Sequence, residues 1–242
     1  MTISLSPTQT NETTVLRTFL ESIMPAGVDC ILAQANLVPE PSTPNFVMIT
    51  PLRRVRLSTN VDTFVDCKLT GSISGSTMTI TKVFYGALQV GSVIFGVGVA
   101  TPTQVTAFGS GSGGLGTYTV SPSQSVGSET LAAGVMNAMQ PTELTVQLDV
   151  HGPASGDNAQ TISTLFRDDY AYQAFNALNP NMAPFYADDP RQVPFINDQA
   201  QFEDRWIIEA CMQVNATVLD LPQEFFESVV VAFCPVDIFE PA

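Results

Sequence analysis

Basic residues are scarce: 9 Lys and Arg stand against 23 Asp and Glu, a formal net charge of -14 over 242 residues. Holding DNA, RNA or an anionic membrane by charge requires Lys and Arg to displace counterions, so this balance disfavours all three as bound ligands. It leaves room for nucleic acid that passes without sticking. Charge of either sign is thin, 13% of the chain, about half the usual share. Long apolar runs are missing too, none approaching the roughly 18 residues of a membrane span. Residues 1–6 contain neither a basic region nor an apolar h-region, so no secretory signal is expected. The four cysteines, Cys30, Cys67, Cys211 and Cys234, lie far apart. Zinc sites and redox dithiols use short spacings such as C-x-x-C. Buried free thiols are the expectation instead.

What is present is enough hydrophobic sequence, 45%, to build a core. It is distributed between two compositions. Between Cys67 and Gly134 the charged residues are Lys68, Lys82 and Glu129, and this window holds 13 of the 16 glycines. The remainder carries 22 acidic and 7 basic residues. So sharp a change predicts a unit, residues 67–134, inserted into a host domain of residues 1–66 and 135–242. Inside the window, Thr77-Met78-Thr79-Ile80-Thr81 alternates polar and apolar, as a half-buried strand does. Residues 104–108 and 117–120 flank a run of glycine and serine, which predicts a β-hairpin with a long, mobile loop. The glycines do not form a nucleotide loop: no Lys follows them as in a P-loop, and Thr117-Tyr118-Thr119-Val120 reads as strand where a dinucleotide turn would open a helix. The window is expected to be a small all-β module.

The host reads as α+β, a mixed sheet flanked by helices, of roughly 175 residues, an ordinary domain size. Leu16, Phe19, Leu20 and Ile23 recur at helical spacing, and Pro25 and Gly27 stop the helix. Pro39, Pro41 and Pro44 mark an extended connection. Residues 46–50 suit a buried strand that Pro51 ends or interrupts, and Val55 and Leu57 alternate with Arg54 and Arg56 beyond it. Leu144, Val146, Leu148 and Val150 alternate cleanly, implying one core face and one wet face. Asp157 and Gln160 resemble a capping box ahead of an amphipathic helix of about four turns. Residues 206–214 and 225–233 are the remaining candidate elements.

Chemistry-bearing constellations are few. His151 is the one histidine, with Asp149 on the same strand face and Ser155 shortly after, but no G-x-S-x-G surrounds Ser155. A turn histidine paired with backbone or carboxylate is the simpler reading. Asp168-Asp169 and Asp188-Asp189 could be imagined as metal ligands. Neighbouring carboxylates on a helix diverge by about 100°, Asp188-Asp189-Pro190 suits a turn, and no EF-hand pattern occurs. No catalytic, cofactor or metal residue is therefore assigned. Arg53, Arg54 and Arg56 are the one basic cluster, and on charge complementarity they are expected at a subunit interface with an acidic neighbour.

Two stretches carry a resemblance. Asp149-Val150-His151-Gly152-Pro153 with residues 157–170, and later Pro184-Phe185-Tyr186-Ala187-Asp188-Asp189-Pro190-Arg191-Gln192-Val193-Pro194-Phe195-Ile196-Asn197 with Glu203-Asp204-Arg205-Trp206, resemble the neck or tail terminator proteins of tailed bacteriophages. The glycine-rich window resembles small β-modules inserted in various phage structural proteins, with no counterpart in a minimal terminator. The resemblance implies a non-enzymatic virion protein of the neck, made in the host cytoplasm, without cofactors and without a membrane. It implies a hexameric ring that caps the tail tube and meets the head-tail connector, with sheath proteins as further partners and DNA passing through unbound. A wall of acidic protein suits such a conduit, since it would not grip the phosphate backbone. The other reading is a binding or decoration protein whose β-module recognises a glycan or another virion protein.

Overall fold

The computed structural model describes residues 3–33, 43–196 and 202–222. The chain divides into two compact units, one holding Thr63–Asn137 and the other Ser4–Asp62 with Ala138–Leu219. They are called here the central and the split unit. The candidate element at residues 225–233, together with Pro39, Pro41 and Cys234, lies outside the described residues.

The split unit is a mixed sheet with three helices. Its strands are β1 (Ser4–Ser6), β2 (Asp29–Leu32), β3 (Phe46–Arg56), the later part of β7 (Gly116–His151), β8 (Met182–Ala187), β9 (Arg191–Gln192) and β12 (Arg205–Pro222). They run in the order β1-β12-β7-β3-β2, with β8 and β9 also pairing to β12. β2 lies parallel to β3, whereas β3 is antiparallel to β7. Two short strands, β10 (Phe195–Ile196) and β11 (Phe202–Glu203), pair with each other.

Helix α1 (Gln9–Ile23) starts where Thr8 and Asn11 exchange capping hydrogen bonds, and its C-cap is Met24, directly before Pro25. Leu16, Phe19 and Leu20 are buried as the spacing requires. Strand β3 runs through Pro51, which interrupts the ladder without ending the strand. The ladder passes from Pro51 opposite Val146 to Arg53 opposite Thr145 with a register shift between them, and a bulge is where a residue without an N–H can be tolerated.

The single four-turn helix expected after residue 157 is two helices, α2 (Ser155–Phe166) and α3 (Asp169–Leu178). The Asp157–Gln160 capping box is not formed: α2 begins after Ala154 with no side-chain cap, which leaves Asp157 inside the first turn. The cap sits later, where the Asp168 carboxylate accepts from the Tyr170 N–H at 2.9 Å. That aspartate stops one helix and opens the next, because its side chain satisfies a donor that a continuous helix would have paired with backbone. Phe19, Phe166 and Phe175, one from each helix, meet edge-on with centroids 5.5 to 6.0 Å apart. They join Val47, Ile49, Leu144, Val146, Leu148, Val150, Ile208 and Val214 in one core.

The central unit is all β. Strands β4 (Val61–Tyr85), β5 (Val93–Phe95), β6 (Thr103–Phe108) and the earlier part of β7 build it. Strand β4 doubles back at Gly75, which has φ of +64°. Thr81 Oγ1 then donates to the Thr70 carbonyl, and Gly71 lies against Ile80. Met78 and Ile80 are buried while Thr77, Thr79 and Thr81 face solvent, as their alternation predicts. A second core gathers Cys67, Leu69, Ile73, Met78, Ile80, Leu131 and Tyr118.

The expected hairpin is present, with Val105 opposite Val120 and Phe108 opposite Tyr118. Its loop is tied down where mobility was expected. The buried Tyr118 hydroxyl accepts from the Gly113 N–H at 2.9 Å and donates to the Gly114 carbonyl at 2.7 Å. Ser110 and Thr117 exchange backbone-to-hydroxyl bonds at 3.0 Å. Glycine is required here for closeness: a Cβ on Gly111 would lie 2.5 Å from the Tyr118 ring.

Candidate functional site

The alternation over residues 143–150 implied that its odd-numbered side, Thr145 and Asp149 included, faces water. Instead Thr145, Asp149 and His151 are buried like their even-numbered neighbours. A charge taken out of water must be paired and hydrogen-bonded, and the pairing comes from chain far off in sequence. Asp149 accepts from Arg205 Nε at 2.9 Å, with Arg205 Nη2 closing on the same oxygen. Gln147 Nε2 adds bonds of 2.8 and 3.0 Å to the two carboxylate oxygens. His151 Nδ1 lies 2.9 Å from Glu203 Oε1, and its ring stacks on Phe46 at 4.5 Å with the planes 7° apart. Between them these contacts tie β7, β11 and β12 together through polar side chains, and β3 through the Phe46 ring.

That geometry does not assemble a triad. Asp149 is engaged by Arg205 and Gln147, Glu203 takes the Nδ1 side of His151, and the buried Ser155 hydroxyl makes no hydrogen bond. A nucleophile must be bonded to its base and the base to its orienter. The arrangement is that of an interior Arg205–Asp149 ion pair and a His151–Glu203 contact that link neighbouring strands.

The arginine cluster is dispersed among internal partners. Arg54 forms a two-pronged ion pair with Glu12 at 2.5 and 2.8 Å, and the Glu12 carboxylate is 1% exposed. Arg53 Nε donates to Thr145 Oγ1 at 3.3 Å, and Arg56 meets the carboxamide oxygen of Gln140 in the amide orientation that satisfies both. The acidic pairs gather at one corner: Arg167 donates to the Ala187 carbonyl and, at 3.3 Å, to Asp189, next to the Asp168 cap. Among the described residues no group of three or more His, Cys, Asp or Glu could hold a metal ion, and no helix is long and apolar enough to cross a membrane.

Cys30, Cys67 and Cys211 are free and buried. Burial pushes the Cys30 thiol up to about 12 and the Cys67 thiol up to about 11, with Glu21 and Asp66 adding smaller effects in the same direction. Such thiols stay protonated and unreactive. The half-exposed Tyr186 phenol is raised to about 12, first by Cys211, its partner across the β8–β12 ladder, then by the charges around it.

The central unit carries an exposed aromatic ring with two lysines, and a cavity. Lys82 Nζ sits 4.5 Å and Lys68 Nζ 5.6 Å from the centre of the exposed Phe84 ring. Lys68 also borders a cavity of about 500 Å³ beside Tyr85, Phe95, Val97 and Val99.

Sequence reasoning missed Glu12, Glu203 and Arg205 as partners. Glu12 was legible, since it lies four residues before Leu16 and heads the same buried stripe. Glu203 and Arg205 carried no local signal, because what they pair with is set by how β11 and β12 are placed.

A family profile described as phage neck terminator protein matches residues 109–236, just over half of the chain. The match begins inside the glycine run, so the later part of the window that had seemed foreign to a terminator is included in it. No curated protein matches the chain.

Proposed function

The chain belongs to the phage neck terminator protein family, and from that premise we propose that it forms the ring that ends the tail tube and joins it to the head-tail connector. The observation that carries this reading is the match over residues 109–236. The chain is a structural protein of the phage neck. Six copies, the number the resemblance implies, would multiply the excess of -14 per chain into a strongly acidic ring. Such a wall favours passage of DNA over binding, because there are few cations to replace its counterions. Tail tube, connector and sheath are the partners this position implies, in the virion and, during assembly, in the host cytoplasm.

Residues 67–134 serve in this reading as a module set within the terminator domain. Of the three arginines expected at the subunit interface, Arg54 has its charge satisfied by Glu12. Arg53 and Arg56 retain that role in the proposal.

The test is the mass of the purified protein by light scattering at several concentrations, with negative-stain imaging, alone and with tail-tube protein added. Six-membered rings in either condition support the reading. A monomer that stays monomeric in the presence of the tube overturns it.

A further inference from the structure

Within this acidic chain the segment Thr63–Asn137 is neutral, and its charges are sorted by depth. Within Thr63–Asn137 the charged residues are Asp66, Lys68, Lys82 and Glu129. Asp66 Oδ1 and Glu129 Oε1 are buried without hydrogen-bond partners, whereas Lys68 and Lys82 are exposed. Neither lysine has a carboxylate partner among the described residues. Both ammonium groups instead stand over Phe84, which is itself 48% exposed. Tyr85 and Val97, both exposed, line the 500 Å³ cavity that Lys68 also borders. An exposed aromatic flanked by unpaired cations next to a cavity has the composition of an interface centre, where aromatic anchors dominate.

We propose that the Lys68–Phe84–Lys82 surface docks on the acidic corner of a second copy of this chain, formed by Asp168, Asp169, Asp188 and Asp189. The argument is charge complementarity within one sequence. All four of these aspartates are exposed, with Arg167 as the cation among them, and exposed Tyr170 and Tyr172 on α3 offer apolar surface beside the charge. Opposite charge on two different surfaces of the same chain makes a heterologous, head-to-tail contact, which closes into a ring when the rotation permits. The docking surface thus supplies cations that the arginines expected at the interface spend partly inside their own unit. It rests on the reading that copies of the chain associate.

The experiment is sedimentation velocity of the full chain at low and high salt. The variants are K68E/K82E, D188K/D189K and the four-fold combination, with circular dichroism and melting to establish folding. Wild type is expected to associate, and to do so less as salt rises. Each charge reversal should weaken association by about tenfold or more, and the combined swap should recover most of it. Recovery by the swap cannot come from a folding defect. If wild type associates and K68E/K82E associates equally well, the surface is wrong while a ring remains possible. If reversal weakens association but the swap does not restore it, the pairing with the Asp188–Asp189 corner is wrong. A wild type that stays monomeric refutes the self-docking outright.

Discussion

Replacing Arg54 with Met leaves the Glu12 carboxylate enclosed without its cation. Two bonds of 2.5 and 2.8 Å disappear, and the carboxylate is 1% exposed against 38% for the guanidinium. Removing one partner of a buried ion pair costs about 3–5 kcal/mol, because the remaining charge is stranded. Water reaches the arginine side, so the lower end, about 3 kcal/mol, is expected here. Replacing both residues, as in E12L/R54M, removes the stranded charge and should return stability to within about 1 kcal/mol of wild type. Urea unfolding measures this, followed by the fluorescence of Trp206, the chain's single tryptophan, which packs against the core of the split unit. Protein concentration must be held constant, since association would shift apparent stability. A loss below about 0.5 kcal/mol for R54M would refute the reasoning, as would a double variant less stable than R54M alone; either result would mean that Glu12 is not held by Arg54.

Two further outcomes follow from the same structure. Asp168→Ala should cost about 1 kcal/mol by removing the α3 cap, while Asp157→Ala, inside α2, should cost less than about 0.5 kcal/mol. Equal losses in the urea titration would contradict the placement of the helix boundary. Cys30 and Cys67 hold their protons more tightly when folded, at about 12 and about 11 against an ordinary 9.0. Their stabilising contribution is therefore complete below pH 9 and falls as pH climbs through the folded values, because the unfolded thiols ionise first. Cys30→Ala should flatten the loss of stability between roughly pH 9 and 12. An unchanged slope would show that this thiol ionises as readily folded as unfolded.

Local order was legible where the signal was periodic. The stripe Leu16, Phe19, Leu20 fixed one face of α1, the alternation of Met78 and Ile80 fixed the inner side of β4, and the strand–glycine–strand pattern located the β6–β7 hairpin. These features depend on neighbours a few residues apart, which the sequence itself places in space. Propensity and spacing misled, or left a choice open, where a single residue had two possible uses. Asp157 has the spacing of a cap, yet Asp168 caps. Pro51 could end a strand or interrupt it, and a bulge carries the strand past it.

The sequence by itself determined that this protein is acidic, poor in charge, built from amphipathic helices and alternating strands, and without the motifs of common catalytic or metal sites. It also contained enough distinctive spacing to point to the phage neck. Tertiary structure alone decided the fate of its polar residues. Asp149 and His151 alternate as a solvent face would, but Arg205, Glu203 and Phe46 come across from other strands and enclose them. The same holds for Arg54, spent on Glu12, and for Lys68 and Lys82, left at the surface on Phe84. Whether a charge is buried and paired or exposed and available depends on residues tens of positions away, and only folding brings those together.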